Sequence, residues 1–396
     1  VIHDTAASRR TGAGGSEAGR KLKTALLIFG LVHLVYFCGA KYGETVGIDG
    51  LLYPNSTPVG GDFINLWTAA RLILADRVAD IYHVGRFMAY QGTLTGGADI
   101  GLRLWAYPPQ SLLLAWPFGL VGYYGALAIW SVLGLAVLAA GARRFGFDRF
   151  ETAILLTSPA TVLNLYYGQT GSLATGLLLL ALSARSGRDP VSIAAAALLT
   201  IKPQLGFLLP LLWAFQRRWR MIAATAVGVA ALAGLAVGLF GLDAWRAYLG
   251  DTLPVLGRLE REGSGPFMTM IPSMFMALRI VAGNSAMALP GHAAFAAAVL
   301  VVLVIRFRRV DDDTRRTAMI LVATTLVTPY LHNYDLAPLL CGALLVARRL
   351  ATVDKPPVYA EFLVIAAWAL PQVVVLLNTI GLPISPLLIL PLLLLA

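Results

Sequence analysis

The sequence predicts an all-α polytopic membrane protein, with about 12 transmembrane segments and two long outer loops carrying short interfacial helices. Three observations predict it. First, 58% of the 396 residues are hydrophobic and only 13% are charged, where soluble globular chains average about 25% charged. So few charges cannot coat a water-facing surface, and the mean hydropathy is +0.73. Second, apolar runs recur from residue 24 to the C-terminus. Third, basic clusters fall between alternate runs, as the cytoplasmic loops of a membrane protein require.

Residues 1–23 are polar, Gly-rich and basic, and read as a disordered cytoplasmic tail. The rest, 24–396, reads as one transmembrane domain. The run 24–40 has the apolarity of a signal-peptide core, but Lys41 and Tyr42 follow it instead of a small-residue cleavage site. It reads as a retained span. The first outer loop, 41–108, holds a Gly/Pro-rich stretch and two short helices near 63–76 and 84–91. Further apolar runs lie at 109–141, 151–165, 171–184, 190–201, 204–216 and 219–241. The second outer loop, 242–284, ends in an interfacial helix from Ile271. The last runs lie at 286–305, 317–330, 336–347, 359–380 and 384–396. Several are shorter than the ~20 residues a span needs, and such segments are tolerated where they line a protein-walled cavity.

The net charge of +10 could mark a nucleic-acid binder, but its placement decides otherwise. Clusters at 20–23, 143–149, Arg185 with Arg188, 217–220, 306–316 and 348–355 (with Lys355) all fit one side. That topology puts both termini in the cytoplasm. It leaves 21 Lys+Arg with 10 acids inside, and 10 Lys+Arg with 11 acids outside. The expected location is a bacterial inner membrane, multi-pass, with membrane lipids and no nucleic acid as partners.

The absent motifs are informative. Cys38 and Cys341 both lie in apolar runs, so a disulfide framework or Cys-based zinc site is not expected. No P-loop, H-E-x-x-H or G-x-S-x-G occurs, and the five His are scattered. There is no internal repeat. The GLAVG at 234–238 is a small-xxx-small packing pattern.

Polar residues concentrate at the outer tips. Asp62 follows Gly60-Gly61 and opens an amphipathic helix whose stripe is Phe63, Leu66, Ala70 and Ile73. It fits an N-cap, and equally a general base held at a helix start. The cap alone does not explain the two glycines. Trp105-Ala106-Tyr107-Pro108-Pro109 reads as an aromatic belt with a Pro-initiated helix. Tyr107 and Asn65 are secondary site candidates. Tyr166-Tyr167-Gly168-Gln169 reads as a tight turn, with Gln169 placed to meet a sugar hydroxyl. Lys202 and Gln204, in Lys202-Pro203-Gln204, interrupt an apolar helix pair, and a Lys there must snorkel or pair. Its surroundings fit an anion site. The run 329–335 is the densest polar stretch between apolar segments and supplies His332, Asn333, Tyr334 and Asp335. Arg246, Arg258, Arg261 and Arg279 add cations from the second outer loop, of which Arg258 and Arg261 join the candidates. One carboxylate with several cations and lipid access suits an anionic, lipid-linked substrate.

These residues resemble a known family. G-G-D-F with W-T-A-A-R-L, then W-A-Y-P-P, K-P-Q and P-Y-L-H-N-Y-D, resemble the family 87 glycosyltransferases, integral-membrane enzymes of the GT-C fold. The resemblance runs from about Gly60 to Leu339. It is similar above all to polyprenyl-phosphate-mannose-dependent α-1,2-mannosyltransferases. It implies transfer of a hexose, mannose first among them, from a polyprenyl monophosphate on the outer face, with inversion. The acceptor would be a lipid or glycan hydroxyl. Asp62 takes the place of the catalytic base in the first outer loop, and His332 and Lys202 that of residues near the donor phosphate. No cofactor is implied; Asp62 and Asp335 are the carboxylates available to a divalent ion if one takes part.

Two other readings compete. A transporter or flippase of polyprenyl-linked or amphipathic lipids would also interrupt its helices, but with inverted repeats and polar residues near the midplane. A non-catalytic assembly subunit would need no organised site around Asp62.

Overall fold

The computed structural model describes residues 7–184, 186–283, 286–353 and 356–396. Arg185, Asn284 and Lys355, used in the reading above, lie outside the described residues, as do residues 1–6 of the expected tail. Helices and turns build the protein, and no strand forms among the described residues. Five helices are long and apolar enough to cross a membrane: Gly19–Thr45, Tyr123–Phe145, Trp219–Phe240, Ala288–Arg309 and Val358–Thr379. Shorter apolar helices such as Gly171–Leu182, Pro190–Ile201 and Ser385–Leu395 fill the space among them.

Within the expected tail, the described residues begin at Ala7. Helix Ala7–Thr45 runs through it into the first span, and Glu17 and Lys21 pair across one turn at 2.9 Å. The expected single run 109–141 is corrected. Short helical turns occupy residues 109–120, and the span begins only at Tyr123. Pro117 and the glycines around it break the helix, and the segment stays with the loop 41–108. Gly119 lets it press on helix Phe63–Leu74, where a Cβ would lie 2.8 Å from the Ala70 carbonyl oxygen. Trp67 Nε1 donates to the Val121 carbonyl at 3.0 Å across the same contact. Likewise Ser158-Pro159 divides the expected run 151–165 into Arg149–Leu156 and Pro159–Tyr166.

The centre is a pair of antiparallel helices, Asp313–Val327 and Ala337–Leu350, buried almost throughout. Helix Gly171–Leu182 is nearly as enclosed. These are the short runs of the sequence, and they sit where protein rather than lipid surrounds them. Trp219–Phe240 is the opposite case, since only Met221 and Ala236 are buried on it. One face is half-buried against helix Pro190–Leu198, and the other is exposed, as on a lipid-facing helix.

In a bilayer, helices associate by close packing more than by the hydrophobic effect. One close approach joins Tyr123–Phe145 to Gly171–Leu182 through Gly141 and Gly176. A Cβ on Gly141 would fall 2.4 Å from the Gly176 carbonyl oxygen. Gly234 and Gly238 of GLAVG, by contrast, have nothing within 4 Å of where a Cβ would lie. They face open space, so that pattern does not mark a helix contact within the chain.

The buried helices carry charge at both ends. At one end Glu151 is held by Lys23 at 2.8 Å and by Arg348, while Asp189 is held by Arg144 at 2.8 Å. Asp148 caps the same region in a reciprocal capping box with Glu151. At the other end lie Thr170, Lys202 and Asp335.

Candidate active site

Three loop tips and one helix start converge at this second end. Asp62 precedes helix Phe63–Leu74, and Gln169 and Thr170 precede Gly171–Leu182. Lys202 separates the turn Leu199–Ile201 from Pro203–Gly206, and Asp335 closes the turn Asn333–Asp335. Their helices stop short, so the tips meet inside the protein.

The glycines make the meeting close. Gly60 and Gly61 adopt φ of +74° and +55°, where L side chains are strained. This turn lets the Asp62 N–H donate to the Tyr167 carbonyl at 2.9 Å. From the other side Gly168, at φ +59°, leaves no room for a Cβ, which would lie 2.3 Å from the Gly60 carbonyl oxygen. Gly171 does the same for the turn after His332, since a Cβ there would lie 2.9 Å from Asp335 Oδ1.

Asp62 stands at the N-cap position, but its side chain caps nothing. The cap reading is thereby corrected. The carboxylate turns instead to two side chains from elsewhere. Arg103 Nη1 donates to Oδ1, and Gln169 Nε2 donates to Oδ2 at 2.5 Å. The carboxylate is about one-third exposed. Burial pushes the Asp62 carboxyl above its ordinary value, against the lowering pulls of the Arg103 guanidinium and the Gln169 amide.

From Gln169 a chain of hydrogen bonds runs inward. Tyr107 OH lies 3.3 Å from Gln169 Oε1 and 3.0 Å from Thr170 Oγ1. Lys202 Nζ donates to Thr170 Oγ1 at 3.2 Å and to Asp335 Oδ1 at 2.6 Å. The direction of each bond is fixed by chemistry. An amide oxygen only accepts, so Tyr107 donates to Gln169. Lysine only donates, so Thr170 accepts from it and its own hydroxyl donates to Tyr107. Every donor in the series therefore points from Lys202 toward Asp62.

Lys202 and Asp335 are almost wholly enclosed, at 6% and 3% side-chain exposure. Burial works to discharge Lys202, but Asp335, Tyr107 and Asp62 together outweigh it and raise the ammonium above its ordinary value. His332 lies between two rings, stacked on Tyr334 at 5.2 Å with Phe267 at 4.5 Å. Its Nε2 is buried with no hydrogen-bond partner. Burial and the nearby Lys202 push the imidazole down to about 3. His332 is thus a neutral donor or acceptor rather than the cation that phosphate contact first brings to mind.

The remaining candidates fall elsewhere. Asn65 accepts from Gln91 Nε2 at 2.9 Å, one turn beyond Asp62. The Gln204 carbonyl accepts from Thr328 Oγ1 at 3.5 Å, a contact of its backbone rather than its amide. Asn333 donates to the Pro371 carbonyl at 3.0 Å and so ties the tip to helix Val358–Thr379. Arg258 and Arg261 lie on helix Leu253–Glu262, none of whose residues is buried. Arg258 lines an open cavity of about 490 Å³ with His83, Arg86 and Asp251, between the segments 41–108 and 242–284. Neither arginine bonds to the Asp62–Asp335 chain.

Several participants carry no sequence signal. Arg103 lies in a stretch without periodicity, and nothing in sequence separates it from Lys41, Arg71, Arg77 or Arg86 of the same loop. Thr170 adjoins Gln169 but looks like an ordinary helix start. Asn164 accepts from the Ser172 N–H at 3.1 Å and braces the Gln169 turn. Among the described residues, no three of His, Cys, Asp and Glu gather in a metal-holding group. Asp62 and Asp335, the carboxylates named for an ion, sit at opposite ends of the chain, each against its own cation.

The arrangement pairs an ionisable carboxylate near the surface with a buried ammonium, joined by neutral donors. It can accept a proton at one end and stabilise an anion at the other. The family model of glycosyltransferase family 87 matches residues 105–329. That segment includes Tyr107, Gln169, Thr170, Lys202 and Gln204, but neither Asp62 and Arg103 nor the run 332–335. No curated protein and no solved structure matches the chain. The family match covers more than half of the 396 residues, and this membrane protein, with its five span-length helices, belongs to glycosyltransferase family 87.

Proposed function

We propose that this glycosyltransferase moves a hexose, mannose first among the candidates, from a polyprenyl-phosphate sugar to a hydroxyl of a lipid or glycan acceptor. The observation that carries the reading is the hydrogen-bonded chain from Asp62 to Lys202. Asp62 serves as general base. The acceptor oxygen bonds to the anomeric carbon as its proton passes to Asp62. The bond from that carbon to the phosphate oxygen breaks, and its electron pair leaves with the polyprenyl phosphate. A single displacement with base and leaving group on opposite faces inverts the anomeric centre.

Phosphate is a weak base as it leaves, so no general acid is needed. Lys202 and the unpartnered His332 Nε2 supply positive charge and a hydrogen bond to the growing anion. Gln169, Tyr107 and Thr170 hold the base in line with Lys202. The basic clusters on alternate loops support an extracytoplasmic site and cytoplasmic termini in a bacterial inner membrane. The buried short helices support a GT-C architecture in which about 12 segments enter the bilayer. The experiment is transfer from radiolabelled polyprenyl-phosphate mannose in membranes carrying Asp62→Asn. Loss of transfer is expected, and near-normal transfer would remove Asp62 from the role.

A further inference from the structure

Both Asp62 oxygens are engaged, and one partner is a cation. That is an awkward resting state for a base. A guanidinium against a carboxylate favours the ionised form and so weakens its hold on a proton. Gln169 is neutral and belongs to the chain that orients the carboxylate. Arg103 is the partner that must yield.

Arg103 is built to yield. It sits in an irregular stretch between helix Val84–Leu94 and the turn Pro109–Ser111. Its other hydrogen bond is local, from Nε to the Ile100 carbonyl at 3.0 Å. Neither bond uses Nη2. At 17% exposure the side chain is partly open, whereas Lys202 is enclosed and already committed to Asp335 and Thr170. Asp62 and Asp335 balance Arg103 and Lys202, so the chain carries no spare cation. An arriving phosphate adds negative charge, and the accessible guanidinium offers it the paired-donor geometry that phosphate prefers.

We propose that Arg103 couples donor arrival to the base: its guanidinium covers Asp62 in the resting protein and moves to the donor phosphate on binding, which uncovers Asp62 for the acceptor hydroxyl. The inference rests on the proposed role of Asp62 and on a phosphate-bearing donor. The groups that face Asp62 electrostatically are Arg103, Lys202, Tyr107, Tyr123, Tyr167 and Tyr334. Of the two cations among them, only Arg103 touches the carboxylate.

The test is binding of farnesyl phosphate, a short polyprenyl monophosphate, to the full-length protein in detergent. Asp62 competes with phosphate for Arg103, so Asp62→Asn is expected to tighten binding by about fivefold or more. The gain disappears in Asp62→Asn/Arg103→Gln, and Arg103→Gln alone binds more weakly than wild type. A purely structural Arg103 would not give tighter binding on removal of its partner. Unchanged or weaker binding in Asp62→Asn overturns the proposal, as does a gain that survives without Arg103. A kinetic readout is independent of these variants' activity. The acid limb of kcat, which reports the donor-bound protein, is expected at higher pH than that of kcat/KM, which reports the free protein. Coincident limbs overturn the coupling while leaving Asp62 as base. Normal transfer by Asp62→Asn overturns the base itself, so the two failures are distinguishable.

Discussion

Lys202 and Asp335 are 133 positions apart in the chain, and their charged atoms are 2.6 Å apart in space. Both are buried, so each is tolerable only because the other is present. Removing one strands a charge. Lys202→Ala is expected to lose about 3–5 kcal/mol of stability. The double change Lys202→Met/Asp335→Leu should recover most of that loss and no transfer activity. Thermal unfolding in detergent, beside a transfer assay, checks both. A single variant as stable as wild type would mean that the pair is open to water.

Tyr107 is the link between two halves of the chain. Tyr107→Phe keeps the ring and removes the hydroxyl, so Gln169 Oε1 and Thr170 Oγ1 lose their shared partner. The stability cost is expected to be about 0.5–1.5 kcal/mol. The loss in kcat should be far larger, about 10–100-fold, because the base is no longer held in line. Steady-state kinetics beside unfolding midpoints separates the two effects. Equal, small losses in both would reduce Tyr107 to packing.

The pH dependence follows from Asp62. Burial raises its carboxyl above the ordinary value, and Arg103 and Gln169 pull it back only in part. In the proposed role Asp62 works ionised, so activity persists above this pKa and falls as pH drops through it. The acid limb of kcat/KM is therefore expected above about 3.9, the ordinary Asp value. A pH profile in detergent with purified donor measures it. A limb at or below the ordinary value would mean that Arg103 dominates the free site.

Gly168 tests the turn that aims Asp62. Gly168→Ala adds a Cβ 2.3 Å from the Gly60 carbonyl oxygen and 2.6 Å from Phe63 Cβ, at a φ of +59°. Gly96 has a similar φ of +65° and nothing within 4 Å. Gly96→Ala should cost about 1–2 kcal/mol from backbone strain alone and keep its activity. Gly168→Ala should cost more than that and lose transfer. Equal behaviour of the two variants would show that the approach of the two turns is not what positions the base.

These positions also show what the sequence could carry. The short apolar run around 171–184 announced an enclosed helix, because a lipid-exposed one would have to be longer. Gly60-Gly61 announced a turn with a purpose, and Lys202 among apolar neighbours had either to snorkel or to pair. The partner's identity could not be read, since Asp335 lies on the far side of two spans. Arg103 was illegible for a different reason. A long side chain on an irregular segment obeys no period, and only the folded turn brings it to Asp62. The helix contact at Gly141 and Gly176 was equally hidden, whereas the more conspicuous glycines at 234 and 238 face outward. Arg258 and Arg261 looked like site cations by sign alone, and their helix keeps them at an open surface.

The two charged ends of the buried helices carry a last consequence. Asp335 precedes helix Ala337–Leu350 and Arg348 lies in its last turn, and at 1.5 Å per residue they are separated by roughly 20 Å. The hydrocarbon layer of a bilayer is about 30 Å thick. The slab does not fit between the two layers of charge. Around this bundle the lipid must thin, or one layer of charge must lie at hydrocarbon depth, sealed by the surrounding helices.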